Sequence, residues 1–257
     1  MFKNIYNYRE LLKTNVKKDI RGRYKASVLG ILWSFMNPLL QVLVYAIVMP
    51  ILLRNSINNY VLYLTTGILP WTYFLTTIAG CTTCVKSNAG IIKKVYFPRE
   101  ILPISVTLSA FVNFMISCVI IIGFCFIYGV GISWHIILVP IIAVVQGLYG
   151  LGLGFIFSAI DPYIQDMEFI VNFFLNMMMY ASPIIYEAST FAGQGFLYMV
   201  IRMNPMTQMI DAYRLLFMDH SMPHWRNVLI VLLFSLLLDA IGYFIFKKAE
   251  KGFAETL

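Results

Sequence analysis

Between Glu100 and Asp161 the chain runs for sixty residues without one Asp, Glu, Lys or Arg. A stretch of that kind is foreign to the surface of a soluble domain, which needs charge spread along every element. One crossing of a hydrocarbon core about 30 Å thick takes about 20 mostly apolar residues, so the run predicts two transmembrane helices. GVGISWH (129–135) supplies the glycines and the interfacial Trp134 of a short external turn between them.

Four more runs follow by the same criterion. Residues 26–53 and 55–85 are free of charge, 227–246 contains only Asp239, and 169–186 is short but unbroken. The chain as a whole is 60% hydrophobic and 12% charged. These runs predict an all-α integral membrane protein of 257 residues in one domain, with six spans over 28–53, 60–85, 104–128, 135–160, 168–186 and 226–247. The N-terminal 25 residues mix charges and lack the pattern of a cleaved targeting signal, so the first span is expected to be retained.

Lys and Arg mark the cytoplasmic side of a membrane protein. Fifteen of the nineteen cluster before span 1, between spans 2 and 3, and after span 6; Arg54, Arg202, Arg214 and Arg226 lie on the other side. Both termini are thus expected in the cytoplasm. Within 1–25, Tyr8, Leu12, Val16, Ile20 and Tyr24 recur every fourth residue and predict an amphipathic interface helix. The basic pI of about 9.2 then follows from a membrane-surface partner, with no nucleic acid required.

Residues 187–226 are too apolar for an ordinary external loop, yet their charge-free pieces are too short to cross. Two short helices over 190–219, broken at Asn204-Pro205 and dipping into the outer leaflet, fit the pattern. Asp211 and Arg214 stand three apart and can pair on the second helix. Such a segment serves either as a gate at the exit of a pathway or as a cap on a dimer.

Candidates for chemistry are few. Cys81, Cys84, Cys118 and Cys125 fall inside spans and are read as structural thiols. His220 and His224 flank Pro223 without the carboxylates of a metal site, and Asp161, Asp166 and Glu168 read as a capping or contact loop. Asp239 is the one acid inside a span, with a structural or a functional reading open. No GxxxxGK[ST] loop occurs, so an ATP-driven role needs another subunit. The aromatics Trp33, Phe35 and Tyr45 in span 1, and Phe169, Phe173, Phe174 and Tyr180 in span 5, suit packing, lipid, or the wall of a shared pathway.

DIRGRYKASVLGILWSFMNPLLQVLVY (19–45), YLTTGILPWTYF (63–74), NAGIIKKVYFPREILP (88–103), SPIIY (182–186) and NPMTQMIDAYR (204–214) occur in this order over nearly the whole chain. With them the chain resembles the permease subunit of type-2 ABC exporters of lipid-linked polysaccharides and teichoic acids, including O-antigen exporters. It departs at Gln165-Asp166, where many relatives carry Arg-Asp. The resemblance implies a homodimer of six-span subunits in the cytoplasmic membrane of a bacterium. Two copies of a separate ATPase would bind ATP and Mg, and this chain would bind no cofactor. The cargo would be a polymer on an undecaprenyl diphosphate carrier, and spans 1 and 5 would line the conduit.

The resemblance also implies a cytoplasmic coupling helix over 88–103, in which Lys94, Tyr96, Phe97, Pro98, Arg99 and Glu100 are expected to contact the ATPase. Tyr96 and Phe97 would be its apolar anchors, and Pro98 and Pro103 would bracket a short helical turn. Arg21, Arg23, Tyr24 and Lys25 of the interface helix are expected near lipid head groups. Asn204, Pro205, Asp211 and Arg214 are expected in the external gate. The alternative from another class is a membrane-embedded transferase acting on a polyprenyl-linked lipid.

Overall fold

The computed structural model describes residues 6–22, 32–53, 57–95 and 97–256. Arg23, Tyr24, Lys25 and Tyr96 lie outside the described residues, as do the side chains of Arg21, Trp33 and Phe35. Among the described residues every regular element is helical.

In chain order they are α1 (Arg9–Gly22), α2 (Leu32–Leu53), α3 (Tyr60–Ser87), the one-turn α4 (Ala89–Ile92), α5 (Ile101–Ile127), α6 (Val139–Ile160), α7 (Met167–Tyr180), α8 (Gly195–Met203), α9 (Pro205–Phe217), α10 (Trp225–Ala249) and the short α11 (Phe253–Thr256). Among the described residues four helical stretches are long and apolar enough to cross a membrane: Tyr60–Ser87, Ile101–Ile127, Trp134–Ile160 and Trp225–Gly252. The helix α2 has 22 residues, of which Met36–Met49 form a shorter apolar stretch. At 14 residues, α7 is about 21 Å long, because the chain leaves the helix after Tyr180 and turns through 181–186.

The helix α3 is the hub, with α2, α5, α6, α7 and α9 all packed on it. It is also the most polar of the candidate spans, and its threonines are accommodated locally. Thr65, Thr66, Thr72, Thr77 and Thr82 each donate a hydroxyl to the carbonyl four residues earlier, at 2.6 to 3.0 Å. Pro70 interrupts the helix ladder in its middle. Gln146 of α6 donates to the Pro70 carbonyl at 2.7 Å and accepts from Tyr213 of α9 at 2.9 Å, so one buried polar chain joins three helices.

Helices approach closely in a bilayer where glycine removes the side chain. Gly147, Gly150 and Gly154 share the α6 face that meets Tyr73, Thr77 and Cys81 of α3. Gly152, on the other side of α6, meets α10 at Leu238 and Asp239, and Gly242 of α10 returns the contact at the Gly152 carbonyl. All four cysteines are free and buried, and Cys81 touches the Pro103 carbonyl.

Between α5 and α6, Gly129 and Gly131 take positive φ of 68° and 77°, and Trp134–Leu138 forms a 3-10 turn. The interface helix α1 differs from its expected setting. Its face of Tyr8, Leu11, Leu12, Val16 and Ile20 is half-buried against the protein, where α1 packs on α5, and Arg9, Lys13, Lys17 and Lys18 point outward. An apolar stripe is satisfied by protein as well as by lipid, and periodicity alone does not distinguish the two.

Candidate functional site

Three regions collect the residues singled out above: a wall carried by α2 and α7, a lock where α7 ends, and the surface around residues 88–103.

The wall joins the first and fifth apolar segments. Met167, Val171, Leu175 and Met179 recur every fourth residue and bury one face of α7 in a cluster with Val42 of α2 and Leu64, Ile68 and Trp71 of α3. Gln41 reaches the Met179 sulfur at 4.0 Å. The opposite face of α7 carries Phe169, Phe173, Phe174 and Tyr180, each between 58% and 72% exposed. Phe173 and Phe174 meet edge to face at 5.8 Å, and α2 exposes Leu40, Leu43, Val44 and Ile47. Apart from Asn37, Glu168 and Asn176, the exposed side of these two helices is largely apolar, and among the described residues nothing covers it.

The lock forms where α7 ends. Non-helical backbone buried in protein must find donors for its carbonyls. Three consecutive ones are served from outside the segment: Ile184 accepts from Arg214 at 3.1 Å, Ile185 from the Tyr60 hydroxyl at 2.8 Å, and Tyr186 from the Tyr63 hydroxyl at 2.8 Å. Arg214 is buried, with its guanidinium 3.5 Å from the centre of the Tyr63 ring. Burial pulls its pKa down, and Tyr63 and Asp211 oppose that. Asp211 pairs more closely with Arg202 of α8, at 3.1 Å, than with Arg214, at 3.9 Å. The expected Asp211–Arg214 pair is thus one side of a three-residue group that also ties α8 to α9. Burial pushes the Asp211 carboxyl up, against the pull of the two arginines.

Asn204 makes the α8–α9 break. Its side-chain oxygen caps α9 by accepting from the Met206 amide at 3.0 Å, its amide donates to Ser182 at 2.9 Å, and Pro205 occupies the first helical position. Replacing Asn204 by alanine is expected to cost about 1 kcal/mol, read as a lower melting temperature in detergent. Asn204→Asp keeps the cap and loses the donation to Ser182, so it should recover only part of the loss.

The surface around residues 88–103 departs furthest from expectation. The coupling segment is helical only over Ala89–Ile92, and Pro103 belongs to the first turn of α5 rather than closing a separate turn. Phe97 and Glu100 are not presented outward. Phe97 is buried with Phe246 and Phe253 and next to Tyr8, Leu11 and Leu12 of α1, because an aromatic ring at this level finds a protein core nearer than a partner. Glu100 is fully buried and bonded to Lys247 at 2.7 Å, since a carboxylate leaving water needs a counter-charge within reach. Arg99 donates to the Glu250 carbonyl and lies over the Phe253 ring. Ile91, Lys93, Lys94 and Val95 are exposed, and Pro98 is half-buried.

On the neighbouring loop, Asp161 is fully buried against Lys86 at 3.1 Å; burial pushes its pKa up and Lys86 opposes this. Lys247→Met would take away the close partner of Glu100 and is expected to cost about 2 kcal/mol in a thermal melt. Adding Glu100→Gln to it should restore most of that stability, and an unrecovered double variant would contradict this assignment of the pair.

Some of these contacts escaped sequence reasoning. The carbonyl bonds of Tyr60 and Tyr63 and the Gln146 bridge join residues far apart in the chain with no local signature. The glycine run GLYGLGLG (147–154) was a signal within reach. Among the described residues no group of three or more His, Cys, Asp or Glu is placed to hold a metal.

Comparison with known proteins supplies the family. Residues 10–218 match the model of the ABC-2 type transporter family. The chain is 30% identical to the O-antigen export system permease protein RfbA of Myxococcus xanthus over 257 residues, covering 100% of this chain and 99% of the relative. It is 35% identical to the protein of the same name from Klebsiella pneumoniae over 250 residues, covering 96% and 95% of the two chains. Transporter relatives matched end to end displace the transferase alternative, and with the family model spanning most of its length, this helical membrane chain belongs to the ABC-2 type transporter family.

Proposed function

We propose that the chain is the membrane subunit of an ATP-driven exporter that carries a lipid-linked cell-surface polysaccharide across the cytoplasmic membrane of a bacterium. The observation that carries this reading is the end-to-end similarity to O-antigen export permeases. An O-antigen-like glycan on an undecaprenyl diphosphate carrier is the favoured cargo, and teichoic acid has the same general form.

In this reading two copies associate with two copies of a separate ATPase, which holds ATP and Mg. Six spans are formed by α2, α3, α5, α6, α7 and α10, with α8 and α9 as re-entrant gate helices and both termini in the cytoplasm. The fifteen basic residues on one side support that orientation. The exposed aliphatic face of α2 and the aromatic face of α7 would meet their copies across the dimer and line the conduit. Stacking surfaces suit sugar rings, and a polymer longer than any enclosed pocket needs a continuous channel advanced in steps.

ATP binding closes the ATPases on the exposed cytoplasmic surface around Ile91, Lys93, Lys94 and Val95, and the packed helices carry the displacement to the wall. Deleting the gene is expected to abolish surface polymer and to accumulate lipid-linked polymer inside the cell. Unchanged surface polymer, or turnover of a polyprenyl lipid by the purified chain without an ATPase, would overturn the reading.

A further inference from the structure

We propose that residues 249–253, where α10 ends and α11 begins, form a staple that joins the two cytoplasmic loops and lets a push on one reach the conduit wall. The inference rests on the export reading above and adds a route of transmission to it.

The loops are 93–100, which leads into α5, and 161–166, which leads directly into α7. Both are held by the same few residues. From the first loop, Arg99 donates to the Glu250 carbonyl and places its guanidinium over the Phe253 ring, 5.7 Å from its centre. Glu100 binds Lys247, which also binds Glu250 at 2.9 Å. From the second loop, Tyr163 donates its hydroxyl to the Ala249 carbonyl at 2.8 Å, and its ring lies 6.2 Å from that of Phe253. Phe253 itself is fully buried, edge to face with Phe246 of α10 at 5.6 Å. One ring therefore meets a residue from each loop and from the last span.

Close packing makes such an arrangement stiff. A displacement of 93–100 drags Arg99 and Glu100, these drag Phe253 and Glu250, and Tyr163 carries the movement to 161–166 and so to Met167 at the start of α7. Gly252 fits this design, since a Cβ there would strike the Tyr163 hydroxyl. A parallel link exists through Lys86, which binds Asp161 and donates to the Ile164 carbonyl at 3.3 Å. Loss of the staple should therefore weaken transmission rather than abolish it. Tyr163 and Phe253 act as positioning residues and need not touch cargo or nucleotide.

The test uses the full chain assembled with its ATPase in vesicles and supplied with lipid-linked polymer extracted from the host. The reading is polymer moved per ATP hydrolysed, with retention of the ATPase measured alongside. Phe253→Ala is expected to lower that ratio about tenfold while the ATPase stays bound and ATP is still consumed. Tyr163→Phe and Gly252→Ala should lower it by a smaller factor, and Phe253→Tyr should preserve it. If Phe253→Ala does not fold, Tyr163→Phe, which removes a single hydroxyl, decides the matter. A wild-type ratio in all the variants would overturn the proposal. So would loss of the ATPase from the membrane, since the segment would then be a docking element. Wild-type complex that moves no polymer would overturn the export reading itself, and the staple with it.

Discussion

Arg214→Leu is expected to lower the stability of the detergent-solubilised protein by about 3 kcal/mol and to stop export. Leucine fills part of the arginine's volume but has no donor for the Ile184 carbonyl, now served at 3.1 Å, and leaves the Tyr63 face without its cation. Asp211 would keep Arg202 as its close partner and lose the second positive charge. Arg214→Lys should recover little, because an ammonium can meet a carboxylate but cannot lie flat on a ring and reach a carbonyl together. Function should suffer beyond stability, since the 182–186 turn fixes where α7 ends. Melting temperature and surface polymer are the two measurements, and a leucine variant that melts and exports like the parent would remove the lock from consideration.

Gly242→Leu is expected to cost more than about 3 kcal/mol, the upper part of the range for forcing atoms into a packed contact. A Cβ at this position would lie 2.5 Å from the Gly152 carbonyl oxygen and 3.0 Å from the Phe155 Cβ. The first of these is backbone and cannot swing aside, so α6 and α10 would have to separate along their whole crossing. Gly242→Ala imposes the same clash with less bulk and should fall between the two. Yield of monodisperse protein and the melting temperature would report the order Gly, Ala, Leu; equal behaviour of all three would show that the helices are not held this closely.

Structure is most legible in this sequence where one energy term dominates. Excluding charge from the bilayer core is costly enough to announce α3, α5, α6 and α10 from composition alone, and the sixty-residue run divided at its glycines. The break at Asn204-Pro205 was legible because capping and proline chemistry are local. Gln41 of α2 lies 4.0 Å from the Met179 sulfur of α7, a contact that no local pattern announces. Legibility failed where local pattern admits two solvents. Phe97 and the apolar face of α1 had the look of surfaces for a partner or a lipid, and they are covered by Phe246, Phe253 and α5. The length of α7 was overread, because SPIIY is apolar enough to continue a span and only tertiary donors reveal that it turns. The C-terminal residues carry only a charge signal in the sequence, since their contacts depend on which carbonyls Arg99 and Tyr163 find.

The threonines of α3 bear on how the protein is made. This helix ends at the centre of the bundle, yet in synthesis it enters the bilayer before α5 and α6, the neighbours that will surround it, have been translated. A nascent span whose polar groups depended on later arrivals would sit in lipid with bare hydroxyls, each costly to expose there. Here each of five threonines brings its acceptor with it, one turn back on the same helix. The span is thereby ready for the membrane on arrival at the translocon, and its tyrosines and Pro70 carbonyl can wait for partners that come afterwards.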